Sequence, residues 1–143
     1  MNKTKIEWCD STLNPVVGCT YGCPYCYARN MNKRFNWIDD FFKPQFFPER
    51  LEKLKSKKSL NIFMNSMSDI ADWQDEWIEK TFLAMNENKQ HSYLFLTKRP
   101  EKLKEILEPR YIPPNWWFGT TVTDNDNYIN RGCELYQATS KII

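Results

Sequence analysis

The stretch SYLFLTKRPEKLKEILEP, residues 92–109, sets the reading of this chain. Its first five residues are a short apolar run with alternating aromatic and aliphatic side chains, the pattern of a buried strand. A polar turn, Thr97 to Arg99, follows at once. Pro100 then opens a helix, because its fixed φ suits a first helical turn and its missing N–H costs nothing there. The helix closes before Pro109. Strand, polar turn and amphipathic helix make one βα unit.

Working outward, the same unit recurs. NIFM (residues 61–64) reads as a buried strand, and Trp73, Trp77, Ile78, Thr81, Phe82 and Met85 behind it fall on one helical face at period 3.6. WWFGTTV (residues 116–122) reads as another strand, with Asp124 capping a helix to about Ala138 and KII opening a further strand. At the front, Val16–Val17 reads as the first strand, followed by a cysteine-rich loop and a short helix from about Tyr27 to Phe35. Apolar strands alternating with helices imply an α/β fold with a parallel sheet and right-handed crossovers. A closed eight-unit barrel takes about 250 residues. The 143 residues of this chain therefore predict one domain, residues 1–143, built as an open partial (β/α) barrel of parallel strands, truncated after about four βα units. A terminal strand with nothing after it predicts an open edge and a second polypeptide that completes the barrel.

Composition narrows the class. Hydrophobic residues at 41% and charged residues at 27% are an ordinary globular balance. The net charge of +2 is too small to argue for nucleic acid. The run Lys53, Lys55, Lys57 and Lys58 around Leu51 and Leu54 reads as the wet face of an amphipathic helix. No apolar stretch is long enough to span a bilayer or serve as a signal core, which predicts a cytoplasmic protein without a membrane partner.

Three of the five cysteines lie within GCTYGCPYCYARN (residues 18–30) as Cys19-x3-Cys23-x2-Cys26. Three thiols this close are not a plausible disulfide framework and, in a reducing compartment, read as metal-binding or redox-active. Gly22 permits the loop to curl. Structural zinc wants four ligands, usually from two knuckles, and the remaining candidates Cys9, Cys133 and His91 have no knuckle spacing. A 4Fe–4S cluster held by three cysteines keeps one iron open to an outside ligand. Cys9 and Cys133 have a plain alternative as small core residues, and His91 reads as an exposed loop residue.

The Cys-x3-Cys-x2-Cys spacing, with Tyr25 just before the last cysteine, resembles the signature of the radical S-adenosylmethionine (SAM) superfamily. KIEWCDSTLNPVVGC, IFMNSMSD, LFLTKRPEKL and WWFGTTV, in this order, resemble a phage-associated, radical-SAM-like family of uncharacterised proteins. That resemblance implies a 4Fe–4S cluster on Cys19, Cys23 and Cys26, with SAM on its open iron. It implies one-electron cleavage of SAM to a 5′-deoxyadenosyl radical, an electron donor such as flavodoxin or ferredoxin, and an unknown substrate. It further implies Tyr25 beside the cluster, and Asn65 and Ser66 near the SAM amino group, with Ser68 and Asp69 in the same loop. Lys98 or Arg99 then faces the SAM carboxylate or a substrate anion, and Thr120 or Thr121 the ribose. Each of these has a structural alternative as a cap, surface charge or loop hydrogen bond. The alternative reading from another class is a non-catalytic zinc- or cluster-binding module that holds nucleic acid or a protein partner.

Overall fold

Alternation governs the central strand. In Ser92–Thr97 the side chains of Tyr93, Phe95 and Thr97 are buried, while Ser92, Leu94 and Leu96 are half-buried. The computed structural model describes residues 1–121. In chain order the strands are β1 (Asn2–Lys3), β2 (Ser11–Thr12), β3 (Val16–Val17), β4 (Gln45–Phe46), β5 (Asn61–Phe63), β6 (Ser92–Thr97) and β7 (Trp116–Thr120). The helices are α1 (Tyr27–Phe35), α2 (Asp75–Glu87) and α3 (Pro100–Leu107), with 3₁₀ segments at Pro48–Lys55 and Ile70–Asp72.

The main sheet has the order β1-β2-β5-β6-β7. Its β2, β5, β6 and β7 are parallel neighbours, and β1 adds an antiparallel edge. The register sets Ile62 beside Tyr93 and Tyr93 beside Trp116, so the large side chains of adjacent strands share one face. The core forms there. Phe82 from α2 meets Trp116 edge-on at 4.8 Å, Phe95 stacks on Phe118 at 5.0 Å, and Leu103 of α3 joins the same cluster. Such ring pairs add roughly 0.5–1.5 kcal/mol beyond their area burial.

Helix α2 forms for the expected reason. Ile78, Thr81, Phe82 and Met85 make its buried stripe, and Asp75 and Glu76 put negative charge on its first turn, where the helix dipole favours it. Trp73 is buried but precedes the helix. Pro100 occupies the first turn of α3, and Leu103 and Leu107 face the core. Lys53, Lys55, Lys57 and Lys58 are all exposed as expected, but only the first two sit on a helical segment, a 3₁₀ turn that buries Leu51 and Leu54 and ends at Lys55.

Two expectations are corrected. Val16–Val17 is fully buried, yet it is not the first strand of the parallel sheet. It pairs antiparallel with Gln45–Phe46 in a separate two-stranded ribbon, and the sheet strand is the less apolar Ser11–Thr12. His91 is not an exposed loop residue. It is buried, with Nε2 2.9 Å from the Leu54 carbonyl oxygen, so the 3₁₀ segment above it supplies the polar partner that makes burial tolerable. The expected helix from Asp124, the KII strand and Cys133 lie outside the described residues. Among the described residues no helix is long and apolar enough to cross a membrane.

Candidate functional site

The cysteine loop starts from a crowded hinge. The Gly18 N–H donates to the Met67 carbonyl at 3.0 Å, and Gly18 bridges Ser68 in parallel, so the chain enters the loop alongside the segment that leaves β5. The Cys19 N–H donates to Phe41 O at 2.9 Å. Gly22 has φ +76°, a backbone shape that L side chains rarely adopt, and it lets the loop turn back. Cys26 then caps α1, its Sγ accepting the Arg29 N–H at 3.4 Å, while the Cys26 N–H reaches the Cys23 carbonyl at 3.2 Å. Cys19 Sγ likewise accepts the Tyr21 N–H at 3.5 Å. Backbone donors thus already point at two of the three sulfurs.

All three cysteines border one cavity of about 270 Å³ and, behind it, a small void of about 20 Å³ against Phe41 and Phe42. The loops after β5 and β6 supply the opposite wall through Asn65, Ser66, Asp69 and Lys98. The cavity therefore lies at the carboxyl ends of parallel strands, where sheets of this kind place their chemistry. Among the described residues no three His, Cys, Asp or Glu side chains stand close enough together to hold a metal ion. Burial pushes the Cys19 thiol up to about 12, with Asp72 and Asp69 adding to that and the Tyr21 N–H and Arg99 opposing it. A thiolate there needs a cation.

Two carboxylates tie the walls together. Asp69 accepts Thr97 Oγ1 at 2.6 Å and the Lys98 N–H at 3.0 Å. Asp72 accepts the Thr20 N–H at 2.8 Å and its hydroxyl at 2.6 Å, and pairs with Arg99 Nη2 at 2.8 Å. The cysteine loop is thereby fixed to the β6–α3 turn. Burial works against the Asp72 charge, but hydrogen bonds from Arg99 and Thr20 outweigh it and hold the carboxyl below its usual range. This contribution is present above the ordinary carboxylate range and is lost as pH falls through the depressed folded value. Asp72→Asn should cost about 1–2 kcal/mol in urea unfolding near neutral pH, and much less below that range. An equal loss at both pH values would show that the carboxylate charge is not what clamps the loop.

One family matches residues 3–142, the family described as "Protein of unknown function (DUF5131)". The chain belongs to this family. Within curated proteins, this DUF5131 chain is 31% identical over 114 residues to the uncharacterized protein MJ0683 of Methanocaldococcus jannaschii, covering 74% of the chain and 42% of that protein. It is 33% identical over 70 residues to the uncharacterized protein ORF301 of Acidianus two-tailed virus, covering 40% of the chain and 23% of that protein. The chain thus spans less than half the length of the curated relatives it matches. No solved structure matches it.

The expected site residues of this DUF5131 chain divide into two groups. Cys19, Cys23, Cys26, Tyr25, Asn65, Ser66 and Lys98 all line the cavity. Lys98 Nζ sits 3.4 Å from the Tyr25 hydroxyl and 5.3 Å from the centre of its ring, at the mouth. Asn65 is buried, and its amide is engaged at both ends by the Leu96 peptide, at 2.7 and 3.1 Å. Ser66 donates to Asn14 Oδ1, and its carbonyl accepts the Tyr27 hydroxyl. Outside the lining, Thr120 donates to the Thr97 carbonyl at 3.1 Å, while its neighbour Thr121 borders the cavity instead. Arg99 is committed to Asp72, which leaves Lys98 as the cation at the cavity among the described residues. Sequence reasoning missed Thr20 and Asp72. An Asp at the end of a short 3₁₀ segment carries no motif, and only the fold brings it to the cysteine loop.

Proposed function

We propose that the chain binds a 4Fe–4S cluster through Cys19, Cys23 and Cys26 and SAM in the adjoining cavity, as a radical SAM enzyme whose substrate is unknown. The observation that carries this reading is the convergence of all three cysteines on one cavity with the loops that follow β5 and β6. The residues suit the group in number and in soft donor chemistry, and holding it would require the three thiols, which border one cavity, to draw closer together. When bound, the cluster and SAM supply one-electron chemistry. The protein's own contributions follow from the geometry. Backbone N–H groups of Tyr21 and Arg29 orient the sulfurs of Cys19 and Cys26. Lys98 offers a cation for the SAM carboxylate, and the Asp72–Arg99 pair holds the loop in place.

The strand order supports a partial (β/α) barrel. Among the described residues, parallel neighbours follow one another in chain order, with no reversal of the kind that marks a doubly wound sheet. In this reading a second polypeptide or further chain closes the barrel, and a flavodoxin or ferredoxin in the cytoplasm delivers the electron. The test is direct. SAM added to the reduced, reconstituted protein should change its electron paramagnetic resonance signal, and dithionite should then release 5′-deoxyadenosine and methionine. Lys98→Ala should weaken SAM binding about tenfold, the worth of one charge-assisted hydrogen bond. Unchanged affinity would move the carboxylate site elsewhere. Colourless protein that takes up zinc would favour the non-catalytic metal module and overturn the radical reading.

A further inference from the structure

From Ser11 to Ile38 the chain contains no acidic residue, and the cations of that stretch, Arg29, Lys33 and Arg34, all sit on α1. Elsewhere several helical cations are neutralised, although Arg50 and Lys53 of the first 3₁₀ segment are in none of the ion pairs found among the described residues. Lys80 pairs with Glu76 on α2, Lys102 with Glu105 and Lys104 with Glu108 on α3, and Lys55 with Glu52 on the 3₁₀ segment. No cation of α1 takes part in an ion pair among the described residues.

Exposed rings collect at the same place. Tyr27 is 57%, Phe35 49%, Trp37 40% and Phe42 46% exposed, and Tyr21 and Tyr25 are also exposed. Tyr27, Met31, Arg34 and Phe35 stand at i, i+4, i+7 and i+8, a single stripe along the helix. Trp37 extends it by stacking on Phe35 at 5.3 Å, Arg34 lies 5.1 Å from the centre of the Phe35 ring, and Arg29 lies over Phe42. The stripe begins at Tyr27, which lines the cysteine cavity.

Two of these cations sit among exposed rings, Arg34 within the stripe and Arg29 over Phe42, with Lys33 on the flank, and this mixture matches one kind of polymer, whose charged backbone alternates with flat bases. A helix that lies on a membrane separates the two, with cations on one face and apolar groups on the other. We propose that α1 and its flanking loops bind single-stranded nucleic acid, with phosphates on Arg29, Lys33 and Arg34 and bases stacked on Tyr27, Phe35 and Trp37. The strand runs toward the mouth of the cysteine-lined cavity. The small net charge of the whole chain is no objection, since the field that matters is local to one helix.

The proposal does not depend on what the cavity holds, so its test uses the 143-residue chain without added iron. Fluorescence anisotropy with labelled oligo-dT and oligo-U of about 12 nucleotides, within the span of one stacking groove, gives affinity as a function of salt. Binding should quench tryptophan fluorescence, and its logarithm should fall linearly with log salt. Replacing Lys33 and Arg34 together by Ala should lower that slope by about 1.4, the loss of two phosphate contacts to a single strand. Replacing Phe35 and Trp37 together by Ala should weaken binding at least about tenfold while leaving the slope unchanged. All four side chains are exposed, and circular dichroism checks that the variants fold. Tighter binding of either oligonucleotide supports the proposal and tells DNA from RNA. Absent binding at low salt, equal affinity for a duplex, insensitivity to both double variants, or binding to phosphatidylserine vesicles in place of oligonucleotides would each overturn it.

Discussion

Anaerobic reconstitution with iron and sulfide should turn the protein brown, with about four of each per chain if the cluster is a cube. Each of Cys19→Ala, Cys23→Ala and Cys26→Ala should abolish the colour, because two remaining thiols on one loop cannot hold the cube. Cys9→Ala and Cys133→Ala should leave it intact. Cys9 is buried outside the cavity lining. Cys26 needs a control of its own, since its sulfur also caps α1. Cys26→Ser keeps an oxygen acceptor at the cap position but is a poor iron ligand, so it should lose the colour at nearly unchanged stability. Cys26→Ala should lose the colour and also about 1 kcal/mol of stability. Iron and sulfide analysis with a urea titration separates the two roles. Retention of full iron content in any single loop variant would show that the three cysteines do not act together.

The elements read correctly from the sequence are those whose periodicity is long enough to name a face. Helix α2 shows four buried positions at helical spacing, and β6 alternates over six residues, so the choice of face leaves no freedom. Helix α3 is marked at its start by Pro100. The errors sit where the pattern is short. Two valines state that a segment is buried but not which strand it pairs with, and Val16–Val17 turned out to pair with Gln45–Phe46. Ser11–Thr12 looks like a loop because a two-residue strand between a turn and a proline-containing bend has no room for alternation. His91 sits in a polar context, NKQHS, and its burial depends on a carbonyl 37 residues earlier that no local window can see.

The candidate site divides in the same way. Cysteine spacing is local and was legible, as was the placement of Asn65, Ser66 and Lys98 behind strands. What those side chains already bond to was not. Asn65 is spent on the Leu96 peptide and Arg99 on Asp72, which leaves Lys98 to face the cavity. The acid-free stretch from Ser11 to Ile38 was present in the sequence but diluted in the net charge. It becomes a surface property only once α1 gathers its cations beside exposed rings.

Gly18→Ala should be among the most damaging substitutions that add a single methyl group. Gly18 is buried with φ +111°, and an added Cβ would come 2.8 Å from Pro44 Cα and 2.9 Å from the Phe41 carbonyl oxygen. Both neighbours are backbone atoms, so no side-chain rotation relieves the contact. The Phe41 carbonyl is also the acceptor for the Cys19 N–H, and Gly18 N–H is bonded to Met67. Relief must therefore push the start of the cysteine loop away from one of its two anchors. A left-handed backbone costs an L residue roughly 1–2 kcal/mol. Overpacking against a fixed wall adds roughly 1–3 kcal/mol. A loss of about 3 kcal/mol in urea unfolding is expected, with unchanged m-value if the denatured state is the same. Iron content after reconstitution should fall in the same variant, since the displacement begins one residue from Cys19. Gly22→Ala provides the contrast. Its added Cβ would find nothing closer than 3.9 Å, so it carries the backbone penalty alone and should lose only about 1–2 kcal/mol. If the two variants prove equally stable, crowding at Gly18 does not set the entry to the cysteine loop, and the anchoring of Cys19 must come from the Asp72 clamp.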